Sequence, residues 1–166
     1  MYHFFVEPHQ IGAEEIRIEG ADVNHIRNVL RMKPGEEILI SSREGGDYFC
    51  RVEELEPEYV SAKILEEWEN KELPARIHLF QGLPKGDKME LIIQKAVELG
   101  AYRVVPVSMK RSVVKLDAKK ADAKRKRWNA VSESAAKQSK RSLIPEVAPL
   151  MTYKEAVKEA AGYDMV

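Results

Sequence analysis

The hydrophobic period changes once along this chain, at "EEWENKELPAR" (residues 66–76). That change restricts the fold more than any other feature. Upstream, short runs rich in β-branched and aromatic residues occur at 2–6, 16–18, 37–41, 48–55 and 59–65. Turn signals such as Lys33-Pro34-Gly35, Glu44-Gly45-Gly46-Asp47 and Pro57-Glu58 bound them. This is the pattern of strands in a small all-β unit. In "YFCRVEEL", alternation puts Tyr48, Cys50 and Val52 on one face and Phe49 and Arg51 on the other. One helix interrupts the strands. Residues 22–32 set Val23, Ile26 and Leu30 on one side, with Asp22 as N-cap and Arg27 and Arg31 sharing a face at i and i+4. Several strands and one short helix predict a small β-barrel.

Downstream, the period is that of a layered α/β fold. Residues 77–81 and 103–107 read as strands, and residues 87–99, 119–139 and 152–161 as helices. Strand-helix alternation predicts a parallel sheet with helical crossovers. The expected boundary lies at Pro74, between a first domain of residues 1–72 and a second of residues 74–166. The final "GYDMV" reads as the first step of a further buried strand, so the second domain is expected to be incomplete within this chain.

The formal net charge is zero, but it is unevenly placed. Residues 1–73 carry 8 Lys+Arg against 17 Asp+Glu, a net of −9, and residues 74–166 carry 19 against 10, a net of +9. The excess lies in residues 110–141, where 12 basic residues face only Asp117, Asp122 and Glu133. Such polarity fits two units with different partners, and equally a solvated helix face in each half. Lys115 and the run Lys124, Arg125, Lys126, Arg127 are placed to neutralise phosphates, each single-strand contact adding about 0.7 to the log–log salt slope. Trp128 and Tyr102 are the aromatic residues nearby, too few for base stacking along a free strand. A folded RNA read by shape and backbone fits better.

Other classes are excluded or unsupported. No apolar run approaches the roughly 20 residues that span a bilayer, and "MYHFFVEPHQ" has no secretory pattern. Cys50 is the single cysteine, which rules out an internal disulfide and a multi-cysteine zinc site. His3, His9, His25 and His78 lack metal-ligand spacing. The expectation is a cytoplasmic protein with no metal and no membrane partner. No G-x-S-x-G or G-x-G-x-x-G occurs, and no covalent nucleophile stands out. "LPKGDKMELIIQKAVELG" is not a triphosphate loop, because Gly82 and Gly86 are too close and Asp87 follows the second glycine. It predicts a helix capped by Asp87 with Glu90 closing a capping box, a stripe of Met89, Ile92, Ile93, Ala96 and Val97, and a stop at Gly100. Lys85 and Lys88 are left exposed near a strand's carboxyl end, where open α/β sheets bind ligands. Glu98, Gln138 and Arg141 fit polar supports behind a site as well as plain surface residues.

In this order and spacing, "HIRNVLRMKPGEEI", "LPKGDKMELIIQKAVELG", "RSVVK" and "KRWNAVSESAAKQSKRSLIPEVAP" resemble the RsmE family of bacterial 16S rRNA uridine-N3 methyltransferases, over residues 2 to about 160. The resemblance implies a PUA-like β-barrel for RNA followed by a SPOUT-type α/β domain with parallel strands. It also implies S-adenosylmethionine bound in a C-terminal trefoil knot, a homodimer, and methyl transfer to N3 of a uridine near the 3′ end of the small-subunit rRNA. Arg111 and Arg141 fall on motif positions as candidates for stabilising a deprotonated uracil, and Glu98 and Gln138 on positions with orienting roles. Arg27, Arg31, Lys85, Lys88, Lys115, Lys124, Arg125 and Arg127 are the RNA-binding candidates. The family's "GPEGG"-like loop and late "LRTETA"-like segment have no counterpart here. The knot and cofactor pocket are therefore expected beyond Val166, and this chain alone is expected to bind RNA without transferring methyl groups. Two further readings stay open: a non-enzymatic RNA-binding module, and a SPOUT methyltransferase with a different rRNA or tRNA target.

Overall fold

A computed structural model describes residues 1–43, 46–69, 72–110 and 116–166. They divide into two units, Met1–Glu72 with Lys140–Leu143, and Leu73–Ser139 with Ile144–Val166.

In the first unit, five strands form one sheet: β1 (Tyr2–Val6), β2 (Glu15–Glu19), β3 (Glu37–Ser42), β4 (Asp47–Leu55) and β5 (Tyr59–Trp68). Their order is β1-β3-β4-β5-β2, with β1 parallel to β3 and the other pairs antiparallel. Strand alternation sends Phe4, Val6, Ile16, Ile18, Ile38, Ile40, Cys50, Val52, Val60 and Ala62 to one core. Each large aliphatic side chain buried there contributes about 1.5–3 kcal/mol. Register shifts at Phe49/Cys50 and Val52/Glu54 mark bulges that bend β4. Phe49 stacks on Trp68, ring centroids 5.5 Å apart.

The helix of this unit differs from the expected residues 22–32. It is entered from Gly20, whose φ of 75° favours glycine, so Asp22 lies inside the first turn and is not the cap. The α-helical part, α1, is only Ala21–Asn24, and a π turn, His25–Val29, follows. Leu30 N–H donates to His25 O at 2.9 Å, and Met32 N–H to Ile26 O at 3.1 Å. Val23, Ile26 and Met32 still reach the core, with Leu30 packed against it. Arg31 ends the element in the left-handed region at φ 54°. The i, i+4 geometry assumed for Arg27 and Arg31 therefore does not apply.

The second unit holds a parallel sheet of β6 (His78–Gly82), β7 (Arg103–Ser108), β8 (Glu146–Val147) and β9 (Met151–Thr152). β7 pairs with β6 along one side and with β8, then β9, along the other. The helices are α2 (Lys88–Glu98), α3 (Ala118–Ser139) and α4 (Tyr153–Ala160). Met89, Ile93 and Val97 form the buried stripe of α2, with Ile92 and Ala96 half-buried. Gly86 at φ 70° and Gly100 at φ 96° set the turns before and after it.

Asp87 occupies the cap position of α2 but makes no side-chain cap bond. Its carbonyl accepts from Glu90 N–H at 3.1 Å, while the Glu90 carboxylate meets Arg127 Nε of α3 at 2.7 Å. An ion pair to a neighbouring helix has displaced the expected box. A true capping box starts α4: Thr152 Oγ1 accepts from Glu155 N–H at 3.3 Å, and the Glu155 carboxylate accepts from Thr152 N–H at 2.8 Å.

β8 is too short to be held by ladder bonds alone, and α3 secures it. Asn129 Oδ1 accepts from Val147 N–H at 3.0 Å, and its Nδ2 donates to Val147 O at 3.1 Å. Ser132 Oγ donates to Pro145 O at 2.6 Å. The terminal "GYDMV" forms no buried strand: Met165 and Val166 are 90% and 94% exposed. Tyr163 instead turns onto His78.

Candidate functional site

β6 and β7 end together, with Gly82 paired to Val107 and Leu83 N–H donating to Val107 O at 3.0 Å. A Cβ at Gly82 would lie 3.2 Å from Met109 Cγ, so the backbone passes close to the chain leaving β7. Lys85 and Lys88 are exposed on the segment that leaves β6, and Lys110 follows β7 exposed. This is the end of a parallel sheet at which ligands bind. The candidates Arg111 and Lys115 lie outside the described residues. At the strand ends, Gln81, Gly82, Ser108 and Met109 carry one hydroxyl and no carboxylate.

The basic helix is less uniformly charged than its sequence suggests. Arg125 lies 3.8 Å from Asp122, Arg127 2.7 Å from Glu90, Lys120 3.3 Å from Asp117 and Lys137 3.2 Å from Glu133. Among the described residues, Lys119, Lys124 and Lys126 have no ion pair, and neither do Lys85 and Lys88. Lys124 is half-buried, and Lys119 and Lys126 are exposed.

Arg141 belongs to the first unit and is buried. Its Nε donates to both oxygens of Glu72 at 3.2 and 3.1 Å, and its Nη2 donates to the same carboxylate. Ser142 N–H and Leu143 N–H add bonds to Glu72 at 2.9 and 3.3 Å. Glu98 is bonded within its own helix, accepting from Lys95 Nζ at 2.7 Å and Gln94 Nε2 at 2.8 Å. The Lys95 bond, with that of Gln94, holds its carboxyl below the ordinary value. Gln138 is exposed on α3. Arg27 is half-buried and Arg31 exposed at the helix end.

Two polar networks were not foreseen. In the first unit the buried Asp47 carboxylate accepts the hydroxyls of both Ser41 and Ser142. Ser41 has one hydroxyl proton, so His3 Nε2, 2.7 Å from Ser41 Oγ, must be the donor in that pair. In the second unit, Tyr163 O–H donates to Glu159 at 3.1 Å, which makes His78 Nδ1, 3.1 Å away, the donor to the phenol oxygen. Arg103 closes this group on Glu159 at 2.6 Å. His78 and Arg103 open β6 and β7, so the cluster stands at the amino end of the sheet, away from the ligand end. The bonds that join distant segments, 38, 95 and 85 residues apart, leave no sequence signal.

Burial pushes the Cys50 thiol up to about 12, which removes it as a nucleophile. Among the described residues no group of His, Cys, Asp and Glu is arranged to hold a metal ion, and no helix is long and apolar enough to cross a membrane.

A family model described as an RNA methyltransferase domain matches residues 71–166, and one described as an RNA methyltransferase PUA domain matches residues 18–65. The chain is 40% identical to the ribosomal RNA small subunit methyltransferase E of Bacillus subtilis, over 99% of this chain and 66% of that protein. It is 31% identical to the protein of the same name from Synechocystis, over 97% of this chain and 52% of that one. The chain thus spans between about half and two thirds of these relatives' length. A crystal structure of a ribosomal RNA small subunit methyltransferase E from Neisseria gonorrhoeae bound to S-adenosyl methionine superposes with a TM-score of 0.82 at 34% identity, over 96% of this chain and 66% of that one.

Proposed function

We propose, since this chain belongs to the ribosomal RNA small subunit methyltransferase E family, that the whole protein methylates N3 of a uridine near the 3′ end of 16S rRNA in the small ribosomal subunit. The observation that carries this reading is the match of 96% of the chain to an S-adenosyl methionine-bound relative, together with an RNA methyltransferase PUA domain over residues 18–65. The whole protein acts in the cytoplasm, where its substrate is, and works as a homodimer.

S-adenosylmethionine supplies an electrophilic methyl group. The strand-end side chains Gln81, Ser108 and Met109 offer no carboxylate for a ribose, so these residues do not by themselves make a cofactor cradle, and none is assigned to it. This chain's own contribution is toward the RNA. N3 of uracil is a weak acid and reacts as its anion, so a nearby cation favours the reactive form. Of the two arginine candidates, Arg141 already gives Nε and Nη2 to Glu72, which leaves Arg111 the stronger. Glu98 and Gln138 are assigned no contact with the base: Glu98 is engaged by its own helix and Gln138 lies on the outer side of α3. Lys85, Lys88, Lys115, Lys124, Arg125 and Arg127 meet the RNA backbone, with the unpaired lysines 85, 88 and 124 foremost.

The test is nucleoside mass spectrometry of 16S rRNA from cells lacking the gene. Loss of 3-methyluridine, restored by the intact gene and not by its Arg111→Ala form, is the expected result. Undiminished 3-methyluridine in the deletion strain would overturn the assignment.

A further inference from the structure

We propose that the end of the first unit's helix, Arg27 and Arg31 around the π turn His25–Val29, is a preset binding corner for the phosphodiester backbone of folded RNA, with Arg31 held in a left-handed backbone to serve it. The inference rests on an RNA substrate, as argued above, and assigns part of its recognition to the first unit.

Charge singles the corner out. Six arginines are described in the first unit. Arg17 pairs with Glu19 at 3.2 Å, Arg43 with Glu7 at 3.0 Å, Arg51 with Glu37 at 3.5 Å, and Arg141 with Glu72. Among the described residues, Arg27 and Arg31 have no ion pair. Residues 1–73 hold 17 carboxylates, yet none falls between residues 23 and 35. Among the described residues, a phosphate at this corner meets two guanidiniums with no ion pair, with Lys33 exposed beyond them.

The backbone gives an independent sign. A π turn and a non-glycine residue at φ 54° follow one another within seven residues. Such features cost stability and gather at functional positions. The same stretch uses glycine where it needs positive φ, at Gly20 (75°) and Gly35 (92°). Position 31 has the same backbone demand and carries an arginine. The attraction of a cation to a helix C-terminus is the competing explanation, and Lys140, at φ 56°, shows a cation in that backbone elsewhere. The two accounts differ in what removing the side chain does.

The surface around the turn suits a backbone and not a base. His25, Asn28 and Val29 are exposed, Asn28 is tied to Asn24 by a 2.6 Å bond, and residues 20–35 contain no Phe, Tyr or Trp for stacking. Sugar-phosphate contacts by Arg and Asn position an RNA without reading it.

The test uses the chain of residues 1–166 and a transcript of the 3′-terminal region of 16S rRNA, titrated at several salt concentrations beside thermal melts. Arg31→Gly is expected to raise the melting midpoint by a few degrees, because glycine relieves the left-handed backbone. It should also weaken binding several-fold at moderate salt and lower the log–log slope by about 0.7–0.9. Arg31→Lys should recover most of the affinity without the rise in midpoint. A glycine variant that binds like the parent overturns the proposal, and so does one that loses stability, which is the signature of a helix-end charge alone. If the parent binds no RNA, the substrate reading falls as well. If the parent binds and only variants of Lys85, Lys88 or Lys124 weaken it, this inference alone falls.

Discussion

The Arg141 guanidinium closes on the Glu72 carboxylate from 69 residues away, and the two side chains are only 8% and 13% exposed. Glu72 also accepts the backbone N–H groups of Ser142 and Leu143. Its removal therefore takes the carboxylate from a buried cation and from two amides, while removal of Arg141 leaves the carboxylate two donors. Glu72→Ala is expected to destabilise the chain by about 3–5 kcal/mol, and Arg141→Ala by less. Urea unfolding of both variants checks the order, and an equal or reversed loss would show that Glu72 does not organise this segment.

His78 gives the chain a pH dependence of its own. Burial first, then the neighbouring Arg103, hold its imidazole below the ordinary value of 6.5, with Arg76 adding to the effect and Glu159 opposing it. Tyr102 and Tyr163 are its ring neighbours. A group with a depressed folded pKa contributes fully above its unfolded value and loses that contribution as pH falls through the folded one. Stability should therefore decline below about pH 6.5, before Glu98 and Glu155, which are also held low, begin to protonate below about 4.5. Melting midpoints of His78→Gln should be flatter over the upper window and unchanged in the lower. A parallel decline in both proteins would assign the effect elsewhere.

Gly86 and Gly100 flank the same helix but should respond differently to a methyl group. A Cβ at Gly86 meets nothing within 4 Å, so Gly86→Ala costs only the left-handed backbone, about 1–2 kcal/mol. A Cβ at Gly100 falls 2.8 Å from Leu73 Cδ1 at φ 96°, so Gly100→Ala costs more. Leu73 is half exposed and its tip can move, so part of the excess should vanish in a Leu73→Ala background. Denaturation of the double-mutant cycle measures that part. No coupling between positions 73 and 100 would contradict the contact.

What the sequence disclosed follows from the range of each interaction. Strand alternation is local, so β1 emerges with its observed bounds, Tyr2–Val6, and the stripe of α2 with Met89, Ile93 and Val97 inward. The π turn at His25 has no period that distinguishes it from an α-helix of the same composition. β8 and β9, two residues each, are too short to show any period, and β8 is supported by Asn129 across 18 residues of sequence. The candidate site was legible as charge but not as pairing. Lys124 to Arg127 looks like one uniform run, yet Arg127 is engaged by Glu90, 37 residues earlier, and Arg125 by Asp122.

That pairing separates two halves of the basic run in RNA binding. A cation already paired with a carboxylate must break that pair to meet a phosphate, so it adds less to affinity and counterion release. Replacing Lys124 and Lys126 together by alanine should lower the log–log salt slope for a 16S rRNA fragment by about 1.4–1.8. Replacing Arg125 and Arg127 together should lower it by less. The arginine pair should cost more in stability, because Arg127 ties α3 to α2 through Glu90. Filter binding between about 50 and 200 mM salt resolves such slopes. Equal slope losses would mean that RNA strips the carboxylates from both arginines. Unchanged slopes in both would make the run a solvated helix face.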